Sequence, residues 1–218
     1  MSIANNLLQI KSQLPNHVTL VAVSKTKPVA DLMEAYNAGQ RIFGENYVQE
    51  LVEKHELMPK DIEWHFIGHL QSRKVKLIAP FVSLIHGVDS LKLLEEINKQ
   101  AKKQNRVIDC LLQIYIADEE TKFGLDEKEL NEIINFVQDD KNEMENIRIV
   151  GLMGMATFTE NPNQIKKEFS RLKSIFDAIA THNSQFTILS MGMSGDYQLA
   201  IECGSTMVRI GSSIFGGR

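Results

Sequence analysis

Residues 19–25 read TLVAVSK, an apolar, β-branched run that ends on a lysine. Such a run reads as a strand buried on both faces. Lys25 then stands where the strand surfaces, half in the apolar interior and half in a pocket. Desolvation there disfavours the ammonium and frees the amine to act as a nucleophile toward a carbonyl. Lys27, two residues on, pushes the same way by like-charge repulsion. A lysine that only snorkels out of a strand end is the competing reading.

The far end of the chain bears on that choice. SMGMSG (190–195) and RIGSSIFGG (209–217) are small, hydroxyl-bearing and glycine-rich. Loops of this type aim backbone N–H groups at a phosphate. Ser194 and Gly195 precede a short helix predicted over 196–203, whose positive end would face the anion. Ordinary turn glycines are the alternative. A desolvated lysine beside a phosphate site points to a phosphorylated carbonyl ligand. Pyridoxal phosphate is the leading candidate, and a sugar phosphate on an aldolase-like lysine is the other. Arg209 stands just before the last loop. A guanidinium does not deprotonate, so it would pair with a carboxylate or keep a pyridine nitrogen unprotonated, which weakens the ring as an electron sink. An arginine salt-bridged inside the fold is the structural alternative.

These residues need elements to carry them. Ile3, Leu7, Ile10 and Leu14 predict an N-terminal helix that Pro15 stops. The chain then alternates. Strands are expected at 19–24, 41–45, 63–68, 83–89, 109–116, 147–154, 186–192 and 207–216. Helices are expected at 28–38, 47–57, 71–79, 91–104, 127–138, 162–182 and 196–203. Asn46 and Gln49 have capping-box spacing for the second of these helices, and Asp126 and Glu129 for the fifth. No helix is expected after the eighth strand. Alternation of this kind implies a parallel sheet, and eight units fit a closed (β/α)8 barrel of the TIM type. The expectation is therefore one α/β domain over 1–218, with an extra N-terminal helix. A doubly wound sheet is the alternative. A barrel places function at the C-terminal strand ends, with phosphate sites frequently after strands seven and eight. GLMGMA (151–156) and SMGMSG resemble each other, as two equivalent strand ends would.

Composition narrows the classes further. The net charge of −4 and the scattered basic residues exclude bulk nucleic-acid binding. No run approaches the roughly 18 apolar residues of a membrane span, and the N-terminus lacks the pattern of a signal peptide. Cys110 falls in a predicted strand and Cys203 in a predicted helix, so buried thiols and a reducing cytoplasm are expected. His65, His69 and His86 lack metal-ligand spacing and read as satisfied structural histidines. Asp118, Glu119 and Glu120 read as a solvated surface run. Lys122, Phe123 and Gly124 lie in a long loop after the fifth strand. No long exposed apolar face is apparent, which favours a monomer.

VAVSKTKP, FGENYVQE, WHFIGHLQSRK, GLMGMAT and SMGMSGDYQLAIECGSTMVRIGSSIFG, in that order, resemble the YggS/PROSC family of pyridoxal-phosphate homeostasis proteins. The resemblance spans nearly the whole chain. It implies a fold-type III barrel similar to the N-terminal domain of alanine racemase. It implies that Lys25 holds pyridoxal phosphate as a Schiff base, with Asn46 and Met193 beside it. Ser194, Gly211 and Ser212 resemble the phosphate contacts, and Arg209 the residue facing the pyridine nitrogen. Lys122 matches a position linked to cofactor transfer. The implied role is to store, buffer or deliver the cofactor, with apo-enzymes that use it as partners. A racemase or lyase is the second hypothesis. Such an enzyme needs acid/base groups on both faces of its substrate. In racemases resembling this barrel a tyrosine for the second face comes from an additional β-domain, and no such segment is expected here. The carrier reading is therefore preferred, with no catalytic residue and no metal assigned.

Overall fold

The computed structural model describes residues 2–118 and 123–217. Helix α1 (Ile3–Gln13) precedes eight strands, β1 (Thr19–Val23), β2 (Ile42–Glu45), β3 (Glu63–Phe66), β4 (Leu84–Val88), β5 (Ile108–Gln113), β6 (Ile147–Met153), β7 (Ile188–Met193) and β8 (Met207–Ile210). Between them run α2 (Val29–Asn37), α3 (Val48–Leu57), α4 (Val75–Ile78), α5 (Leu91–Lys103), α6 (Glu127–Gln138), α7 (Pro162–Ala180) and α8 (Tyr197–Glu202), and a last turn, α9 (Ser212–Phe215), follows β8. The strands pair in chain order and close into a parallel barrel. Closure is made by β1 on β8, from Thr19 opposite Met207 to Ala22 opposite Ile210.

Period-2 alternation, interrupted where the β4–β5 and β5–β6 pairings shift register, sorts strand side chains between two cores. Leu20, Ala22, Phe43, Trp64 and Phe66 face outward and pack with Leu32, Leu51, Leu94 and Phe169 of the helices. Val21, Leu84, Leu111, Val150, Met153 and Met207 fill the barrel interior. Gly151 marks a close approach of β6 to β7: a Cβ there would lie 1.7 Å from the Ile188 carbonyl oxygen.

Local chemistry sets the helix starts. Asp126 and Glu129 form the expected capping box on α6, and Asn161 caps α7 ahead of Pro162. Asn46 and Gln49 do not form theirs. Tyr47 is the N-cap of α3 and makes no side-chain capping bond. The eighth strand stops at Ile210, because Gly211–Phe215 coils into the one-turn helix that the sequence pattern does not reveal. β5 likewise ends at Gln113, and Ile114 bridges Leu125 instead. Cys110 is buried and unpaired, whereas Cys203 is only half-buried at the end of α8. Glu119, Glu120 and Lys122 lie outside the described residues. Among the described residues no helix is long and apolar enough to cross a membrane.

Candidate functional site

A cavity of about 440 Å³ opens at the C-terminal ends of the strands. Lys25, Asn46, Met193, Ser194, Arg209, Gly211 and Ser212 all line it. Six βα junctions supply its walls: those after β1, β2, β3, β6, β7 and β8.

Lys25 follows β1 by two residues, on a turn rather than within the strand. Ser24 before it is fully buried, and its N–H donates to the Gly44 carbonyl at 3.0 Å. Thr26 after it has φ 62°, a left-handed conformation that a β-branched residue rarely adopts. The chain thus reverses sharply at Lys25. Asn46 lies across the mouth, and its Oδ1 is buried without a hydrogen-bond partner. Buried polar atoms are nearly always paired, so this oxygen is poised to meet something that enters the cavity.

On the wall formed after β7 and β8, the Ser194 hydroxyl oxygen accepts from the Gly211 N–H at 3.2 Å and the Ser213 N–H at 3.4 Å. These amides belong to the first turn of α9, where backbone donors lack partners within the helix. With its oxygen so engaged, Ser194 keeps its own hydrogen for a group in the cavity. The helix after Ser194 is more distant from it, since Asp196 is the N-cap of α8. This wall is therefore built from α9 as well as from the loop after β7.

Arg209 is buried inside the barrel and meets neutral partners. Its Nη1 donates to the Ser190 hydroxyl at 2.6 Å, and its Nη2 donates to the Gly154 carbonyl at 3.1 Å. The twin motifs after β6 and β7 thus hold the same guanidinium. Burial pushes Arg209 down to about 10, opposed by the negative charge of Asp196. Ser190 Oγ also lies 3.1 Å from His86 Nδ1, and His86 Nε2 lies 3.1 Å from His65 Nδ1. Burial holds both imidazoles neutral, His65 at about 3 and His86 well below its ordinary value. Arg209 can only donate, so Ser190 can pass its hydrogen to His86, and His86 Nε2–H can donate to His65. His69 is separate: it is exposed and sits 3.2 Å from Asp89.

The site can offer an anion the Ser194 hydroxyl hydrogen, beside the first turn of α9. It can present a lysine amine into the same cavity, and it can point a fixed cation from the floor. Among the described residues no cluster of His, Cys, Asp and Glu could hold a metal ion.

A family model for the alanine racemase N-terminal domain matches residues 1–218. A pyridoxal phosphate homeostasis protein of Escherichia coli K12 is 40% identical over 232 residues, covering 99% of this chain and 97% of that one. One from Aquifex aeolicus is 41% identical over 205 residues, covering 93% and 88%. The chain belongs to the pyridoxal phosphate homeostasis protein family. A structure of the Synechococcus elongatus protein PipY with pyridoxal phosphate bound superposes with a TM-score of 0.89 at 35% identity, covering 99% of this chain and 100% of that one. Alanine racemase from E. faecalis shares the fold, with a TM-score of 0.80 at 17% identity, and this chain covers 58% of it.

Sequence reasoning did not connect several residues that lie behind this cavity. Ser190, His86 and His65 were legible only as a strand serine and two structural histidines. Period-2 placement of Arg209, Ser190, His86 and His65 on inward strand positions could have joined them. Glu45 and Glu50 fall within FGENYVQE, but no local pattern joins them to Lys54 behind Lys25.

Proposed function

We propose that this protein binds pyridoxal phosphate and holds it in reserve, buffering or delivering it. The observation that carries the reading is the joining of Lys25, the Ser194–α9 wall and Arg209 in one cavity. The residues fit the cofactor. The unpartnered Asn46 oxygen waits at the mouth, and Gly195, Gly216 and Gly217 line the cavity without a side chain of their own, next to open space. The name shared by the relatives supports the same reading.

Pyridoxal phosphate supplies an aldehyde that condenses reversibly with an amine, releasing one water. On this reading Lys25 provides the amine and Asn46 and Met193 flank the ring. Ser194, Gly211 and Ser212 bind the phosphate. Arg209 faces the pyridine nitrogen and, as an obligate donor, keeps that nitrogen from carrying a proton. The whole of 1–218 works as one binding barrel, monomeric and intracellular, with apo-enzymes as recipients.

A storage role is favoured over racemisation by the cavity wall itself. No tyrosine is among the described lining residues. Tyr36 donates its hydroxyl to Asp61, and Tyr197 donates to Gln13. Two-faced proton transfer needs a second positioned group opposite the lysine. The test incubates loaded protein with L-alanine and follows the D-isomer, beside a transfer assay to an apo-enzyme. Transfer faster than free release, with no D-alanine formed, is expected. Efficient turnover of alanine would replace the storage role by an enzymatic one.

A further inference from the structure

The two peptide groups that flank Lys25 are both gripped by one buried ionic cluster. Lys54 of α3 donates from Nζ to the Ser24 carbonyl at 2.8 Å, to Glu45 Oε1 at 2.7 Å and to Glu50 Oε2 at 3.0 Å. Glu50 Oε2 also accepts the Thr26 N–H at 2.7 Å. The Ser24 hydroxyl donates to Glu45 Oε1 at 2.6 Å. The carbonyl before Lys25 and the amide after it are therefore held from the same side.

The cluster is costly where it stands. Glu45 is fully buried, Lys54 is 5% exposed, and Glu45 Oε2 has no hydrogen-bond partner. Burial raises the Glu45 carboxyl despite the opposing charge of Lys54. A buried ion pair is poor evidence for stability, because apolar packing often does as well or better. A strained, non-glycine left-handed residue persists only where its surroundings over-determine it. Thr26 is such a residue: Glu50 holds its amide, and Lys54 holds both Glu50 and the Ser24 carbonyl.

We propose that Glu50 and Lys54 are positioning residues that clamp the Ser24–Lys25–Thr26 turn and aim the Lys25 amine into the cavity. The proposal rests on the function given above and deepens it. The clamp touches neither ring nor phosphate. Its loss should leave non-covalent recognition intact and slow the covalent step alone.

The test compares two ligands. Pyridoxal 5′-phosphate measures covalent capture by its absorbance change and by borohydride trapping. Pyridoxine 5′-phosphate carries an alcohol in place of the aldehyde and reports binding without capture. Glu50→Ala removes the Thr26 acceptor at a half-buried helical position, where the fold should survive. We expect capture to slow at least tenfold, with the affinity for pyridoxine 5′-phosphate within twofold of wild type. Glu50→Gln keeps a neutral acceptor and should recover most of the rate. Lys54→Met, where it folds, should slow capture as Glu50→Ala does. Wild-type capture rates in Glu50→Ala, or equal losses for both ligands, would overturn the clamp. Wild-type protein that traps no pyridoxal phosphate would instead overturn the proposed function, and the clamp would fall with it.

Discussion

At the scale of single residues, the proposed function separates the group that reacts from the groups that hold it. Lys25 lies on a turn beyond β1 and outside the packed cores. Lys25→Ala should therefore abolish borohydride-trapped cofactor while leaving stability within about 0.5 kcal/mol of wild type, read from urea midpoints. A collapsed unfolding transition would make the lysine structural. Arg209→Gln should change the absorption of the bound chromophore and weaken cofactor retention. An unchanged spectrum and affinity would remove Arg209 from the site. The buried histidines give a pH signature of their own. Folding depresses the values of His65 and His86 below the ordinary 6.5. The unfolded chain therefore binds more protons, and stability that is complete above pH 6.5 is lost as the pH falls below it. Each neutral histidine adds about 1.4 kcal/mol per pH unit to that slope. His86→Gln keeps hydrogen-bonding atoms but cannot titrate. Its urea-derived stability between pH 6 and pH 4 should lose about one proton's worth of slope relative to wild type. An identical slope would mean that His86 is already charged in the fold.

At the scale of elements, the strand ends matter more than the strands. β6 and β7 approach so closely at Gly151 that a methyl group would meet the Ile188 carbonyl. Gly151→Ala should cost more than about 3 kcal/mol, a magnitude typical of backbone clashes and core damage, and thermal melting would register it. A melting temperature near wild type would mean that the two strands can part there without loss. Much of this layer is legible in the sequence. Alternating runs such as TLVAVS and helices opened by Asn161-Pro162 obey local rules that tertiary packing does not overturn. What escapes is short or non-local. α9 is one turn of Ser-Ser-Ile-Phe, too brief for a period to register, yet its amides meet Ser194. The bond from Arg209 to Ser190 and onward to His86 joins three different strands, and no local window contains it. Asn46 has the spacing of a cap and instead faces the cavity, because Tyr47 begins the helix.

At the scale of the whole molecule, a closed barrel with one open mouth suits a protein that must hold a reactive aldehyde and yet give it up. The interior is filled by Val21, Leu84, Leu111 and Met207, so a ligand reaches Lys25 and Ser194 from the strand ends that carry them. Exposed large apolar side chains such as Leu8, Leu77, Val107 and Phe158 are spread over different elements. Singly placed residues of this kind need no partner to cover them, and a monomeric mass by light scattering is expected. The racemase-like fold, shared at 17% identity, does not decide the chemistry, because one barrel supports many sites. The proposed function turns on a single attachment point, and the direct measurement is peptide mapping of the borohydride-reduced complex with pyridoxal phosphate. One modified peptide is predicted, with the pyridoxyl group on Lys25. A reduced adduct on Lys27 or another lysine, with Lys25 unmodified, would contradict that assignment.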